Sequence, residues 1–156
     1  MKYLKKYFKI VLIDILVYQI SRPVLFENLI SFTIEEEKIS NNKIRYYIKE
    51  NDKIIHNSYV FKSLHILKLI DKKGPAIGDC FTIDQYRGQS IYPFVINKIA
   101  NEIIANGEPE VFILVKSNNK NSIRGIEKAG YSLHSKIVAK RFLFFYFNKK
   151  IIKFNS

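Results

Sequence analysis

At 156 residues and 18.4 kDa the chain is the size of one ordinary domain and too short for two large ones, so a single unit over residues 1–156 is expected. A composition of 47% hydrophobic, 14% aromatic and 26% charged residues supplies a core and excludes disordered, collagen-like and low-complexity classes. The 26 Lys and Arg against 14 Asp and Glu give a formal net charge of +12, which favours anionic partners such as phosphates, nucleic acid or an acidic membrane face.

Part of that basic excess belongs to an Ile-, Lys- and Asn-rich background and says nothing about partners. Nucleic acid is not expected as a partner, because no aromatic RNP pattern, helix-turn-helix cue or zinc knuckle is present. Cys80 is the sole cysteine, which excludes an internal disulfide and a cysteine zinc cage and points to a reducing, cytoplasmic compartment. It reads as a packing cysteine, since no His–Asp arrangement stands at a recognisable spacing from it. His65 and His134 read as incidental, and three histidines without clustered carboxylates predict no metal.

Residues 1–20 open on Lys2, Lys5, Lys6 and Lys9 and continue into Ile10, Val11, Leu12 and Ile13 before Asp14 interrupts. No small-residue cleavage site follows, and the apolar run is short of the roughly 20 residues that span a bilayer. Two readings stay open: a first core element with a solvated basic face, or an interfacial helix in which Tyr3, Leu4, Tyr7 and Phe8 lie beside the lysines as a peripheral anchor at the inner membrane face. Residues 1–40 form the variable part of the chain.

Beyond residue 40 the elements are clearer. Lys43–Glu50 and Lys53–Phe61 are β-rich runs separated by Asn51 and Asp52, a strong hairpin signal. Residues 64–70 fit either a strand extension or a helix. Residues 77–83 predict a strand after Gly74 and Pro75. Ile91, Val95, Ile99 and Ile103 then recur four apart and predict an amphipathic helix that begins close to Ser90, with Pro93 tolerable in its first turn and Asn106-Gly107 as its stop. Residues 111–115 are continuously apolar, as in a strand covered on both faces. A short helix over residues 119–129 starts at Asn119 and ends at Gly130. Two more strands are predicted over residues 131–138 and 140–147. Residues 142–147 are apolar on both faces, which fits an inner strand, a homodimer contact or a membrane contact. The order β, β, β, α, β, α, β, β is a mixed α/β pattern.

The segment from Ile77 to Tyr92 reads as a strand, a tight basic loop and a helix start. A helix N-terminus carries unpaired N–H groups and partial positive charge, so it can hold a phosphate on backbone donors. Arg87 adds a fixed charge and Gly88 permits close approach. The loop lacks the Lys-Ser/Thr ending of a Walker loop and the three glycines of a dinucleotide fingerprint.

Arg87, Gly88, Gln89, Ser90, Ile91 and Tyr92, followed by a helix, a strand and then Asn119, Ser122, Glu127, Lys128, Gly130 and Tyr131, resemble the two signature regions of the GNAT acetyltransferase superfamily. The resemblance covers residues 43–148. It implies an α/β (α+β) fold with a mixed, mostly antiparallel central sheet flanked by helices and a cofactor cleft beside the strand ending near Ile83. It also implies acetyl-CoA as acyl donor and direct transfer of the acetyl group to a primary amine. In such a protein Cys80, Phe81 and Thr82 would pair with the pantetheine arm. The amides from Gly88 to Tyr92, with Arg87, would hold the diphosphate, and Asn119 and Ser122 would lie beside the carrier.

Two positions depart from the family pattern: Ser90 and Tyr92 replace small residues, and Ile126 replaces a tyrosine that protonates the leaving thiolate in many relatives. Tyr92 or Ser122 would have to supply that proton, or water would. The base candidates are His56, on a strand face shared with Ser58, and Asp79, with Asp84 a further carboxylate. The stretches around His56, Phe81 and Arg87 look like the branch found beside bacterial surface-polysaccharide genes, which implies an amino-sugar acceptor on a nucleotide or lipid phosphate. A domain of this fold that binds acyl-CoA without turnover is the alternative.

Overall fold

A computed structural model describes residues 9–27 and 32–154. In chain order these residues form β1 (Val11–Ile20), β2 (Glu35–Ser40), β3 (Lys43–Glu50), β4 (Lys53–Phe61), a 3₁₀ turn at His65–Ile70, β5 (Ala76–Thr82), a second 3₁₀ turn at Asp84–Tyr86, α1 (Ile91–Ala105), β6 (Val111–Lys116), α2 (Lys120–Lys128), β7 (Ser132–Phe142) and β8 (Phe145–Lys153). The eight strands make one sheet in the order β2-β3-β4-β5-β6-β1-β7-β8. Only β5 and β6 run parallel; every other neighbouring pair is antiparallel. This is the mixed, mostly antiparallel sheet that the sequence resemblance implies.

The local signals are carried out as the chemistry requires. Asn51 and Asp52 take φ of 48° and 60°, the double left-handed geometry of a tight hairpin that Asn and Asp tolerate best. Residues 64–70, open between strand and helix, form the 3₁₀ turn. α2 opens as Asn119 Oδ1 accepts the Ser122 amide at 3.2 Å, and it stops at Gly130, whose φ is 91°.

Three expectations need correction or limits. The two strands expected over residues 131–138 and 140–147 do not exist as such. β7 continues through Ala139, because Ile137 and Ala139 keep the inward alternation, and the turn falls at Leu143 and Phe144. An inner position for the aromatic run is also overturned, since β8 is the last strand of the sheet. The N-terminal stretch is a core element: β1 lies between β6 and β7, antiparallel to both. The interfacial-helix reading of Tyr3, Leu4, Tyr7 and Phe8 lies outside the described residues. Among the described residues no helix is long and apolar enough to cross a membrane.

The sheet has two unequal faces. β1 and β6 feed both: Tyr18, Ile20, Val111, Ile113 and Val115 join the larger cluster with α1, while Val17 and Phe112 join the smaller one under the His65–Ile70 turn. α1 buries Ile91, Val95, Ile96 and Ile99 against the larger face. At its middle the buried Asn97 donates to the carbonyls of Val24 (2.9 Å) and Ala129 (3.0 Å). Asn101 donates to the Val24 carbonyl (3.0 Å) and accepts its amide (3.1 Å). The chain after β1 and the end of α2 are thereby tied to one helix, which fixes α2 across from the start of α1.

Candidate functional site

The site begins with a strand that leaves its neighbour. β5 pairs with β6 at only two positions, Ala76 with Phe112 and Ile77 with Ile113. On its other side, β5 sets Asp79 and Cys80 against the single residue Ser58 of β4, a β-bulge with Asp79 at φ 50°. Past Ile77 the edge of β5 that faces β6 has no ladder partner, so its peptide groups are free to pair with another extended amide chain.

The mouth of this gap holds the start of α1. Gly88 and Ser90 take φ of 81° and 60°, and the amides of Gly88, Gln89, Ser90, Ile91 and Tyr92 have no acceptor among the described residues. They form a nest of donors at the positive end of the helix dipole. Arg87 is strapped to the end of β5: its Nε donates to the Thr82 carbonyl (3.1 Å), and its Nη1 lies 2.9 Å from Asp84 Oδ1. Lys128 reaches over from α2 and donates to Ser90 Oγ at 2.7 Å.

α2 forms the opposite wall. Together the elements enclose a cleft of about 590 Å³, to which α2 and its cap contribute Asn119, Asn121, Ser122, Arg124 and Gly125. Gly125 is required by contact, because a Cβ there would stand 2.6 Å from Tyr92 Cδ1 and 2.9 Å from Cε1. The Tyr92 ring therefore lies flush against the helix. Burial pushes its phenol well above the ordinary tyrosine value, so it keeps its proton.

Beneath the cleft runs a hydrogen-bonded chain of side chains. Cys80 Sγ donates to the Gly78 carbonyl (3.5 Å), Ser58 Oγ donates to Cys80 Sγ (3.2 Å), and His56 Nε2 lies 2.8 Å from Ser58 Oγ. With the Ser58 proton committed to sulfur, His56 must carry its own proton on Nε2. Nδ1 is then bare and accepts from Thr82 Oγ1 at 2.7 Å. Burial pulls the imidazole down to about 4, so it is neutral at pH 7. Burial also pushes the Cys80 thiol up to about 12, which keeps it a thiol and not a nucleophilic thiolate.

Of the residues expected from sequence, Cys80, Phe81, Thr82, Arg87, Gly88, Ser90, Ile91, Tyr92, Asn119 and Ser122 all line the cleft. Gln89 does not; its amide turns back to the Gln85 carbonyl (3.4 Å). His56 is fully buried behind Thr82 and does not line the cleft. Asp79 is not brought to the cleft either: the bulge turns it outward, where it pairs with Lys43 at 3.2 Å. The sequence reading missed Tyr86, Pro93, Asn121, Arg124 and Gly125. The signal for the last was available, because a glycine inside a helix costs stability and marks a close approach. Among the described residues no group of His, Cys, Asp and Glu could hold a metal ion.

The sheet is mostly antiparallel and opens at its one parallel pair among the described strands, with a helix N-terminus at the opening, and this fold is similar to that of a solved GNAT-family structure. The chain aligns over 81% of its length, at a TM-score of 0.61 and 13% identity, with a GNAT-family protein of Novosphingobium aromaticivorans DSM 12444 solved as a candidate acetyltransferase. The match spans 62% of that protein, and at this identity the likeness speaks for the fold alone. No protein-family model matches the chain, and no curated protein matches it.

Proposed function

We propose that the chain is an acetyl-CoA-dependent N-acetyltransferase that passes the acetyl group directly to a primary amine. The observation that carries the reading is the conjunction at the parted strands: an unpaired β5 edge leads to five unpaired amides at the start of α1. The donor set fits the carrier's chemistry. Amides 88–92 with Arg87, Arg124 and Lys128 suit a diphosphate, and the β5 edge from Gly78 suits a chain that carries amides of its own. When bound, the carrier supplies an activated acetyl thioester.

The protein's share is proton handling and orientation. Thr82 Oγ1 donates its hydrogen bond to the bare His56 Nδ1 and keeps lone pairs that can accept an N–H of the incoming amine. His56 is thus a positioning residue that acts through Thr82. The protonated Tyr92 phenol lines the cleft and can donate to the departing sulfur, the duty left vacant at Ile126, which is wholly buried in the core. For the acceptor we favour an amino sugar on a nucleotide or lipid phosphate, because the cleft lining includes Arg87 and Arg124 and no Asp or Glu, which suits a phosphate-bearing ligand.

Titration calorimetry with acetyl-CoA, paired with thiol release over a panel of amines, tests the reading. Binding should weaken about tenfold or more in Arg87→Glu, which places a carboxylate beside the amide nest. Absence of acetyl-CoA binding would sink the proposal. Binding without thiol release from any amine would favour the second reading, an acyl-CoA-binding module without turnover, for which the buried Ile126 is the supporting observation.

A further inference from the structure

The end of the sheet formed by β1, β7 and β8 carries an apolar tip on a hairpin whose charged residues are all cations. Phe144 lies in the β7–β8 turn and Phe145 opens β8; they are 83% and 72% exposed. Ile10 (55%) and Leu12 (68%) stand beside them, because Val11 pairs with Arg141 and Leu12 with Lys140. Contiguous exposed side chains of this size mark a contact surface.

The charge along this hairpin has one sign, with Lys140 and Arg141 nearest the turn. From Ser132 to Ser156 the sequence contains Lys136, Lys140, Arg141, Lys149, Lys150 and Lys153 and no Asp or Glu. On the β1 side Lys9 stands just before the strand, and Val11, Leu12 and Ile13 add no acid. The first carboxylate in β1, Asp14, is taken by Lys136 at 3.1 Å. Among the described residues Lys140, Arg141, Lys149 and Lys150 have no ion-pair partner.

We propose that this tip docks the protein on an anionic lipid surface, with the phenylalanines entering the headgroup boundary and the lysines lying against the phosphates. Each signal alone is weak, but an apolar insertion and a polybasic hairpin act together. A second copy of the chain is the poorer occupant. β8 is the last strand among the described residues, yet edge-to-edge pairing centred on Lys149 and Lys150 would bring these two cations against each other.

Docking would also orient the cleft. β1 runs antiparallel to β6, with Ile15 opposite Lys116 and the Ser117 amide donating to the Asp14 carbonyl at 3.2 Å. The tip therefore lies at the end of the sheet from which α2 departs toward the cleft. The docking itself does not depend on the transfer reaction.

The test is co-sedimentation of the 156-residue chain with vesicles of phosphatidylcholine alone and of phosphatidylcholine with phosphatidylglycerol, at low and high salt. Binding is expected only with the anionic lipid and should weaken with salt. It should fall about tenfold or more in Phe144→Ser/Phe145→Ser, and by a similar factor in Lys149→Gln/Lys150→Gln. Cooperative thermal melts of both variants report that the fold is kept. The proposal is overturned by failure to sediment at low salt or by binding that neither pair of substitutions alters. It is also overturned by a concentration-dependent dimer on size exclusion that the phenylalanine pair dissolves, which would mean that a second copy covers the tip. Acetyl-CoA binding measured on the same samples keeps the two proposals apart, since either can fail while the other stands.

Discussion

Gly125 and Tyr92 show how one hydrogen atom in place of a methyl group shapes the site. Alanine at position 125 would gain the helix propensity that glycine lacks, about 1 kcal/mol, but its Cβ would sit 2.6 Å from the Tyr92 ring. The clash should win, so Gly125→Ala should destabilise by about 1–2 kcal/mol in urea unfolding. In a Tyr92→Ala background the same substitution should change sign and stabilise by about 0.5–1 kcal/mol, because the ring is gone. Tyr92→Phe keeps the packing and removes only the donor. Thiol release should fall about 100-fold, with acetyl-CoA binding unchanged within about twofold. An unaltered rate would remove Tyr92 as the acid.

His56 makes a pH prediction with a definite sign. Its imidazole sits at about 4 in the folded chain against an ordinary 6.5, so the unfolded chain takes up a proton first as pH falls. The stability of the neutral buried ring is fully present above about pH 6.5 and is lost progressively down to pH 4, about 3 kcal/mol in all. Melting temperature should drop through that window, and His56→Gln should flatten the drop while lowering the plateau. A melt as steep in the variant as in the parent would show that another group is responsible.

At the scale of elements, the contacts of α1 matter more than its own helix propensity. Asn97 satisfies one carbonyl from the segment after β1 and one from the end of α2. Asn97→Ala leaves both without this donor and should cost about 2–3 kcal/mol by denaturant titration. The boundaries of α1, α2 and the β3–β4 hairpin were legible because their signals are local: fourfold apolar spacing, an Asn cap with a terminal glycine, and Asn51-Asp52. The β7–β8 turn was not. It has no glycine or proline, and Leu143 takes φ 51° within an unbroken apolar run. The loop half of the cleft was legible from residues 80–92, whereas Arg124 and Gly125 meet it only through the docking of α2.

For the whole molecule, the least legible feature was the placement of β1. Its sequence reads as an apolar segment after a basic start, and nothing local says that it belongs between β6 and β7. Its partners lie about a hundred residues away, Ile20 opposite Val111 and Val11 opposite Arg141. A chain that begins after residue 20 would lose this central strand and leave two inner edges unpaired. Such a chain should show no cooperative thermal transition and should accumulate in the insoluble fraction. A sharp melt from it would mean that β6 and β7 can close on each other.

Of the eight described strands β1 is synthesised first, and β6 and β7, which flank it, are sixth and seventh. At about 5–20 residues per second, roughly 6–25 s separate the synthesis of Ile20 from that of Phe142. Until β6 is made Ile13, Ile15 and Val17 have neither flanking strand, and until β7 is made they have only one. The centre of the sheet therefore closes only after β7 has been made, and until then one edge of an apolar strand stays uncovered.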